Sequence, residues 1–118
     1  NAFDHLRALQ AAHEQYDAII LDPPAFAKNR EAVKSAERGY KDINLRAMKL
    51  LKPGGFLITC SCSHHMSPAL FQEMLGSAAL DAGKNLRIIE TRGQAKDHPR
   101  LLAAPETDYL KCVIAQVF

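Results

Sequence analysis

Cysteine is scarce, at three residues in 118, and the number is odd. That argues against a disulfide framework, which needs pairs, and suits a reducing, cytoplasmic setting. No apolar run approaches the roughly 20 residues that a membrane-spanning helix requires. The residues show no signal-peptide pattern, internal repeat or low-complexity tract. An excess of one charge is also missing: 15 Lys and Arg stand against 13 Asp and Glu, for a net +2. With a pI near 8.5 the chain permits an anionic partner without demanding one, since a dedicated nucleic-acid surface is usually more basic. What is present is apolar material, 47% of the residues, in a chain long enough for one domain or part of one.

The apolar residues are distributed in a readable order. Leu6, Leu9 and His13 recur at helical spacing over 5–14, with Asp4 as an expected N-cap. The continuous run Ala18-Ile19-Ile20-Leu21 predicts a strand buried on both faces of a parallel sheet. Asp22 closes that run, and Pro23-Pro24 forbids further pairing. Residues 29–35 are polar and predict a loop or short helix. Ile43, Ala47, Leu50 and Leu51 predict a helix from about Tyr40, ended by "KPGG". A second buried strand is expected over 56–60. Ser67-Pro68 then opens a helix whose apolar face is Leu70, Phe71, Met74, Leu75 and Ala78. Strands follow over 86–90 and 109–118, with a Pro-containing loop over 97–105 between them. The alternation predicts an α/β domain with a mostly parallel sheet. No helix separates the last two strands, so they are expected to pair antiparallel.

In open α/β sheets, ligands bind beyond the carboxyl ends of the strands. Asp22 ends one expected strand and 60–63 end the next, so both face one crevice if those strands are neighbours. In "DPPAF", two prolines fix the backbone rigidly after the strand. Asp22 and nearby carbonyls are then held where they can hydrogen-bond a planar amine or amide, and Phe26 can stack on a ring. The same residues also read as a simple strand-ending turn with a core Phe. The stretch "TCSCSHH" (59–65) is open in the same way. Alternation puts Cys60 and Cys62 on one face and Ser61 and Ser63 on the other. A metal site on Cys60, Cys62, His64 and His65 lacks the usual paired knuckles from separated segments. A redox pair usually needs CxxC. Cys60 and Cys112, in apolar strands, fit inert buried thiols. Cys62, at the cleft mouth before a helix start and near His64, His65 or Lys28, is the best nucleophile candidate.

Taken together, "DPPAF", "RGYKDIN", "LLKPGG", "SCS", "DHP" and "YLK" resemble, in order and spacing, the class I S-adenosylmethionine-dependent methyltransferases. More narrowly they resemble the bacterial large-subunit ribosomal RNA (cytosine-5) methyltransferases, over nearly the whole chain. The resemblance implies a Rossmann-like α/β fold and a cytoplasmic rRNA-modifying enzyme that uses S-adenosylmethionine. It matches Asn1-Ala2-Phe3 to the segment that contacts the cofactor adenine; many relatives carry Asp where Asn1 stands. It matches Asp22-Pro23-Pro24 to the motif beside the methyl group and target base, and Cys62 to the catalytic cysteine. Cys60, His64 and His65 depart from the family pattern. Pro24, Phe26, Tyr40, Lys41 and Asn44 are expected to position RNA or cofactor, while for Lys28 and Lys41 a solvated helix start is the favoured reading.

A glycine-rich turn after a first strand, and the acidic residue that would bind the cofactor ribose, are missing. The chain opens at Asn1 and enters a helix at once. It is therefore expected to be the C-terminal half of a catalytic domain, inactive alone, binding S-adenosylmethionine weakly or not at all. The strand at 18–21 should then present an unpaired edge and favour a homodimer or edge association. Two other readings stand beside this one. An exocyclic-amine methyltransferase also uses DPP, but normally with an aromatic residue directly after it, where Ala25 stands here. A non-catalytic RNA- or metal-binding module is the second.

Overall fold

A computed structural model describes residues 2–24, 33–63, 66–93 and 110–118. Its elements run α1 (Ala2–Ala11), β1 (Tyr16–Leu21), α2 (Val33–Leu50), β2 (Leu51–Ser61), α3 (Pro68–Ala82), β3 (Leu86–Arg92) and β4 (Lys111–Val117). The sheet order is β1-β2-β4-β3. β1 and β2 are parallel neighbours, in register from Ala18↔Phe56 to Leu21↔Thr59. β4 runs antiparallel to both β2 and β3. The expected α/β order and the final antiparallel pair are both present.

The ends of the elements carry the corrections. α1 begins at Ala2, so Asp4 lies inside its first turn rather than capping it. There the carboxylate sits at the positive end of the helix dipole and 3.9 Å from Arg7. α2 begins seven residues before Tyr40, at Val33. Its buried stripe is Ala36, Tyr40, Ile43 and Ala47, a helical spacing whose first member is too small to stand out among Lys34, Ser35, Glu37 and Arg38. The "KPGG" segment does not follow the helix as a cap; it lies within β2. Between Tyr16↔Leu51 and Ala18↔Phe56 the register shifts, because β2 bulges there. Gly54 takes φ +85°, and a Cβ on Gly55 would fall 2.9 Å from the Lys52 carbonyl and 3.0 Å from that of Asp17. The glycines let the bulge pass close to β1.

α3 is built as its sequence suggests. The Ser67 hydroxyl accepts from the Leu70 N–H at 3.1 Å, and Pro68 occupies the first turn. Phe71, Met74, Leu75 and Ala78 are buried, with Leu70 packed beside them.

Alternate residues of the central strands, Leu57, Thr59, Ser61, Val113, Ala115 and Val117, are buried with the core residues of α2 and α3. The other face of the sheet is open. Ile20 is 69% exposed and Phe56 41%, so the 18–21 run is not buried on both faces as expected. Among the described residues β1 is an edge strand and no helix covers that second face. Also among the described residues, no helix is long and apolar enough to cross a membrane.

Candidate active site

The register of β1 and β2 decides what meets at the end of the sheet. Leu21 stands opposite Thr59. Asp22 and Pro23 leave β1 at the level where Cys60 and Ser61 end β2, and Cys62 follows directly. The Cys60 thiol records this neighbourhood. Burial, then its hydrogen bond and charge contact with Cys112, then the charges of Asp22 and Cys62, push it up to about 12. Cys60 and Cys112 are directly paired across β2 and β4. Cys60 is thus held as a protonated thiol across the physiological range, although it is half-buried rather than buried as expected. All three cysteines are free, and Cys62 is half-buried in the turn after β2.

Beneath that turn lies a polar network on the covered face. The Ser61 hydroxyl donates to the Tyr40 hydroxyl at 3.0 Å and accepts from the Ser63 N–H at 3.3 Å. The Lys111 ammonium donates to the Ser63 carbonyl at 2.5 Å. One turn along α2, Asn44 accepts from the Thr59 hydroxyl at 2.6 Å and donates to the Tyr40 carbonyl at 2.8 Å. These groups are almost wholly buried: Tyr40 and Ser61 at 0% exposure, Asn44 at 1%, Lys111 at 5%. A buried polar group must find a partner or bear its desolvation cost, and here each has one. Tyr40 also meets Phe71 edge-on, with ring centroids 6.2 Å apart.

The alternation expected of Cys60 and Cys62 against Ser61 and Ser63 is visible in these partners. The serines bond inward to α2 and β4, while the two cysteines are only half-buried. Tyr40 and Asn44, expected at the substrate, lie under the site and brace β2; neither has surface to offer a nucleotide in this structure. Lys41 points to α3, where its ammonium is 2.6 Å from Asp81. Lys111, Ser61 and Thr59 were not expected to matter. Lys111 and Ser61 fall within "YLK" and "SCS", motifs that carried no role for these two side chains, and the alternation of Thr59, Ser61 and Ser63 puts three hydroxyls on a buried face.

His5, Leu6 and Leu9 of α1 line a groove along β1 with Tyr16, Ala18, Ile20 and Leu21. Half-buried Phe3 of α1, exposed Asp22 and half-buried Pro23 offer a ring, a carboxylate and an apolar wall. Such a set suits one side of a nucleoside-bearing cofactor. Ala2 opens α1, and Pro24 is exposed beyond β1. Asn1, Phe26, Lys28, His64 and His65 lie outside the described residues, as do "DHP" and Tyr109. Among the described residues no group of three His, Cys, Asp or Glu is placed to hold a metal ion.

Comparison with known proteins adds to this geometry. A solved structure of a candidate methyltransferase complexed with SAH superposes on 98% of this chain, and on 30% of its own, with a TM-score of 0.82 at 21% identity. The chain thus has the fold of part of that molecule: a mixed α/β sheet of the methyltransferase type. Two curated relatives bear the name ribosomal RNA large subunit methyltransferase I. The one from Shewanella amazonensis is 49% identical over 118 residues, which is all of this chain and 30% of that protein. The one from Yersinia pseudotuberculosis is 50% identical over 111 residues, 94% of this chain and 28% of that protein. The chain thus spans under a third of the length of these relatives. No protein-family model matches it.

Proposed function

We propose that this chain is the C-terminal part of the catalytic domain of a cytoplasmic, S-adenosylmethionine-dependent rRNA methyltransferase. Its substrate is a cytosine of the 23S ribosomal RNA, methylated at carbon 5 through an adduct on Cys62. The observation that carries the reading is that Asp22 and Cys62 follow the ends of two paired parallel strands, and that both act on the Cys60 thiol. The relatives' name and the SAH-bound neighbour support the class of reaction.

Carbon 5 of cytosine is a weak nucleophile. A thiolate of Cys62 adding to carbon 6 makes carbon 5 enamine-like, the familiar gain from covalent catalysis. Asp22 holds ring N3 and the exocyclic amine during that addition. S-adenosylmethionine supplies the electrophilic methyl group. Carbon 5 attacks it, and S-adenosylhomocysteine leaves. Loss of the carbon 5 proton to a base then expels the thiolate and restores the ring. Phe3 and Asp22-Pro23 line the cofactor's side, together with Asn1 and Ala2. Pro24 and Phe26 meet the base, which must be unpaired or flipped to arrive. Tyr40 and Asn44 act from below, by bracing β2, and Lys41 by joining α2 to α3. This span alone binds the cofactor weakly and does not turn over.

The test is a trap. Full-length protein is incubated with labelled S-adenosylmethionine and RNA containing 5-fluorocytosine, whose fluorine cannot leave as a proton does. A covalent complex mapped to Cys62 is the expected result, as is loss of activity in Cys62→Ala. Methyl transfer to ordinary RNA that survives Cys62→Ala, with no adduct, would instead indicate methylation of an exocyclic amine.

A further inference from the structure

Cys62 is followed by a residue held at both polar ends. The Ser63 N–H is bound by the Ser61 hydroxyl at 3.3 Å, and its carbonyl by the Lys111 ammonium at 2.5 Å. Ser61 and Lys111 are themselves directly paired across β2 and β4. The two peptide planes after Cys62 are thus tied to the central strands, and the Ser61 hydroxyl is anchored in turn on Tyr40.

The choice of lysine needs a reason. Lys111 is 5% exposed, so its ammonium bears a desolvation penalty that its partners must offset. An apolar side chain of similar length would fill the space without that penalty. What it would not do is grip the Ser63 carbonyl. A turn that only joined β2 to α3 would not need such a grip, because Ser67 and Pro68 already start the helix. The grip falls on the turn that carries the candidate nucleophile, whose thiol must lie within a few tenths of an ångström of its attack position.

We propose that Lys111, acting with Ser61, is a positioning residue for Cys62: it fixes the turn after β2 so that the thiol faces the cleft beside Asp22. The inference rests on the reading of Cys62 as nucleophile. It assigns Lys111 no contact with RNA or cofactor.

The test uses full-length protein and three variants, Lys111→Met, Lys111→Arg and Ser61→Ala. Two readouts are taken: the rate of adduct formation with 5-fluorocytosine RNA at saturating RNA, and the rate of Cys62 alkylation by iodoacetamide in protein alone. Lys111→Met should slow the adduct at least tenfold while KM for RNA and affinity for S-adenosylmethionine change less than twofold. Lys111→Arg should recover part of that loss. Ser61→Ala removes the other tie without stranding or deleting a buried charge, so it answers the question if Lys111→Met does not fold. Both disruptive variants should change the alkylation rate. Folded Lys111→Met or Ser61→Ala protein with wild-type adduct and alkylation rates would overturn the proposal. Wild-type protein that forms no adduct, but whose Cys62 alkylation still depends on Lys111, would sink the cytosine-5 reading and leave the positioning role standing.

Discussion

The two faces of the sheet are made of similar residues and have different fates. On one, Leu57, Val113, Ala115 and Val117 are fully covered, and even Thr59 and Ser61 are buried with partners. On the other, Ile20 and Phe56 lie open. Apolar side chains on both faces are the mark of a strand with layers on both sides. The composition of the open face therefore describes a surface suited to cover, and that of the closed face a core. The comparison also separates two kinds of order at the site. The covered face brings the scaffold of the turn after β2, whereas half-buried Cys62 and exposed Asp22, the groups proposed to react, lie outside that layer.

The largest effect expected from this contrast is in packing. Phe71, with no exposed surface, fills the space between α3 and Tyr40. Phe71→Ala should lower folding stability by about 3–5 kcal/mol, the usual cost of emptying a core aromatic site. Ile20→Ala on the open face should change it by no more than about 0.5 kcal/mol. Urea unfolding of both variants checks the pair, and similar losses would mean that the second face is covered in solution.

The hydrogen-bonded layer comes next. Asn44→Ala strands the Thr59 hydroxyl and removes the side-chain bond to the Tyr40 carbonyl, and should cost about 1–3 kcal/mol. Asn44→Ala combined with Thr59→Val removes the stranded hydroxyl and should recover part of that loss. An additive double variant would show that the two side chains do not act as a pair.

Local pattern carried much of this architecture but not its closure. The apolar runs and the Ser67-Pro68 signal placed every strand and α3, because burial and capping act over a few residues. The start of α2 was hidden by its polar first two turns. The bulge at "KPGG" depends on the approach of Asp17, which no local window contains. That the end of β1 at Asp22 lies beside the end of β2 was legible because two consecutive parallel strands usually pair. Lys111 was not, since its role needs β4 to insert between β2 and β3. The openness of the second face was equally hidden: an apolar run states what a strand prefers, not what surrounds it.

A smaller effect concerns association. The outer edge of β1 and the exposed Ile20 are a template for another strand. This chain should form dimers or larger species in light scattering, and Ile20→Lys should shift them toward monomer. A monomer before any substitution would show that the edge does not pair with itself.

The smallest effect isolates one thiol on the open face. Cys60 is raised from an ordinary value of 9.0 to about 12, chiefly by burial and by Cys112. The fold thus favours the protonated form. Below pH 9 both folded and unfolded chains carry the thiol, and the stabilisation is fully present. As pH rises from 9 through 12 the unfolded chain ionises first, so this contribution is lost. Because Cys60 is only half-buried, solvent damps the effect. Urea midpoints between pH 8 and 11 should fall less steeply for Cys60→Ala than for the unchanged protein. Alkylation gives the complementary reading: Cys60 should be nearly inert to iodoacetamide at pH 8 and gain reactivity steadily past pH 9. Parallel unfolding curves, or a Cys60 alkylation rate that levels off near pH 9, would mean that the open face does not shield this thiol, and the proposed division between Cys60 and the candidate nucleophile Cys62 would then have to come from the turn alone.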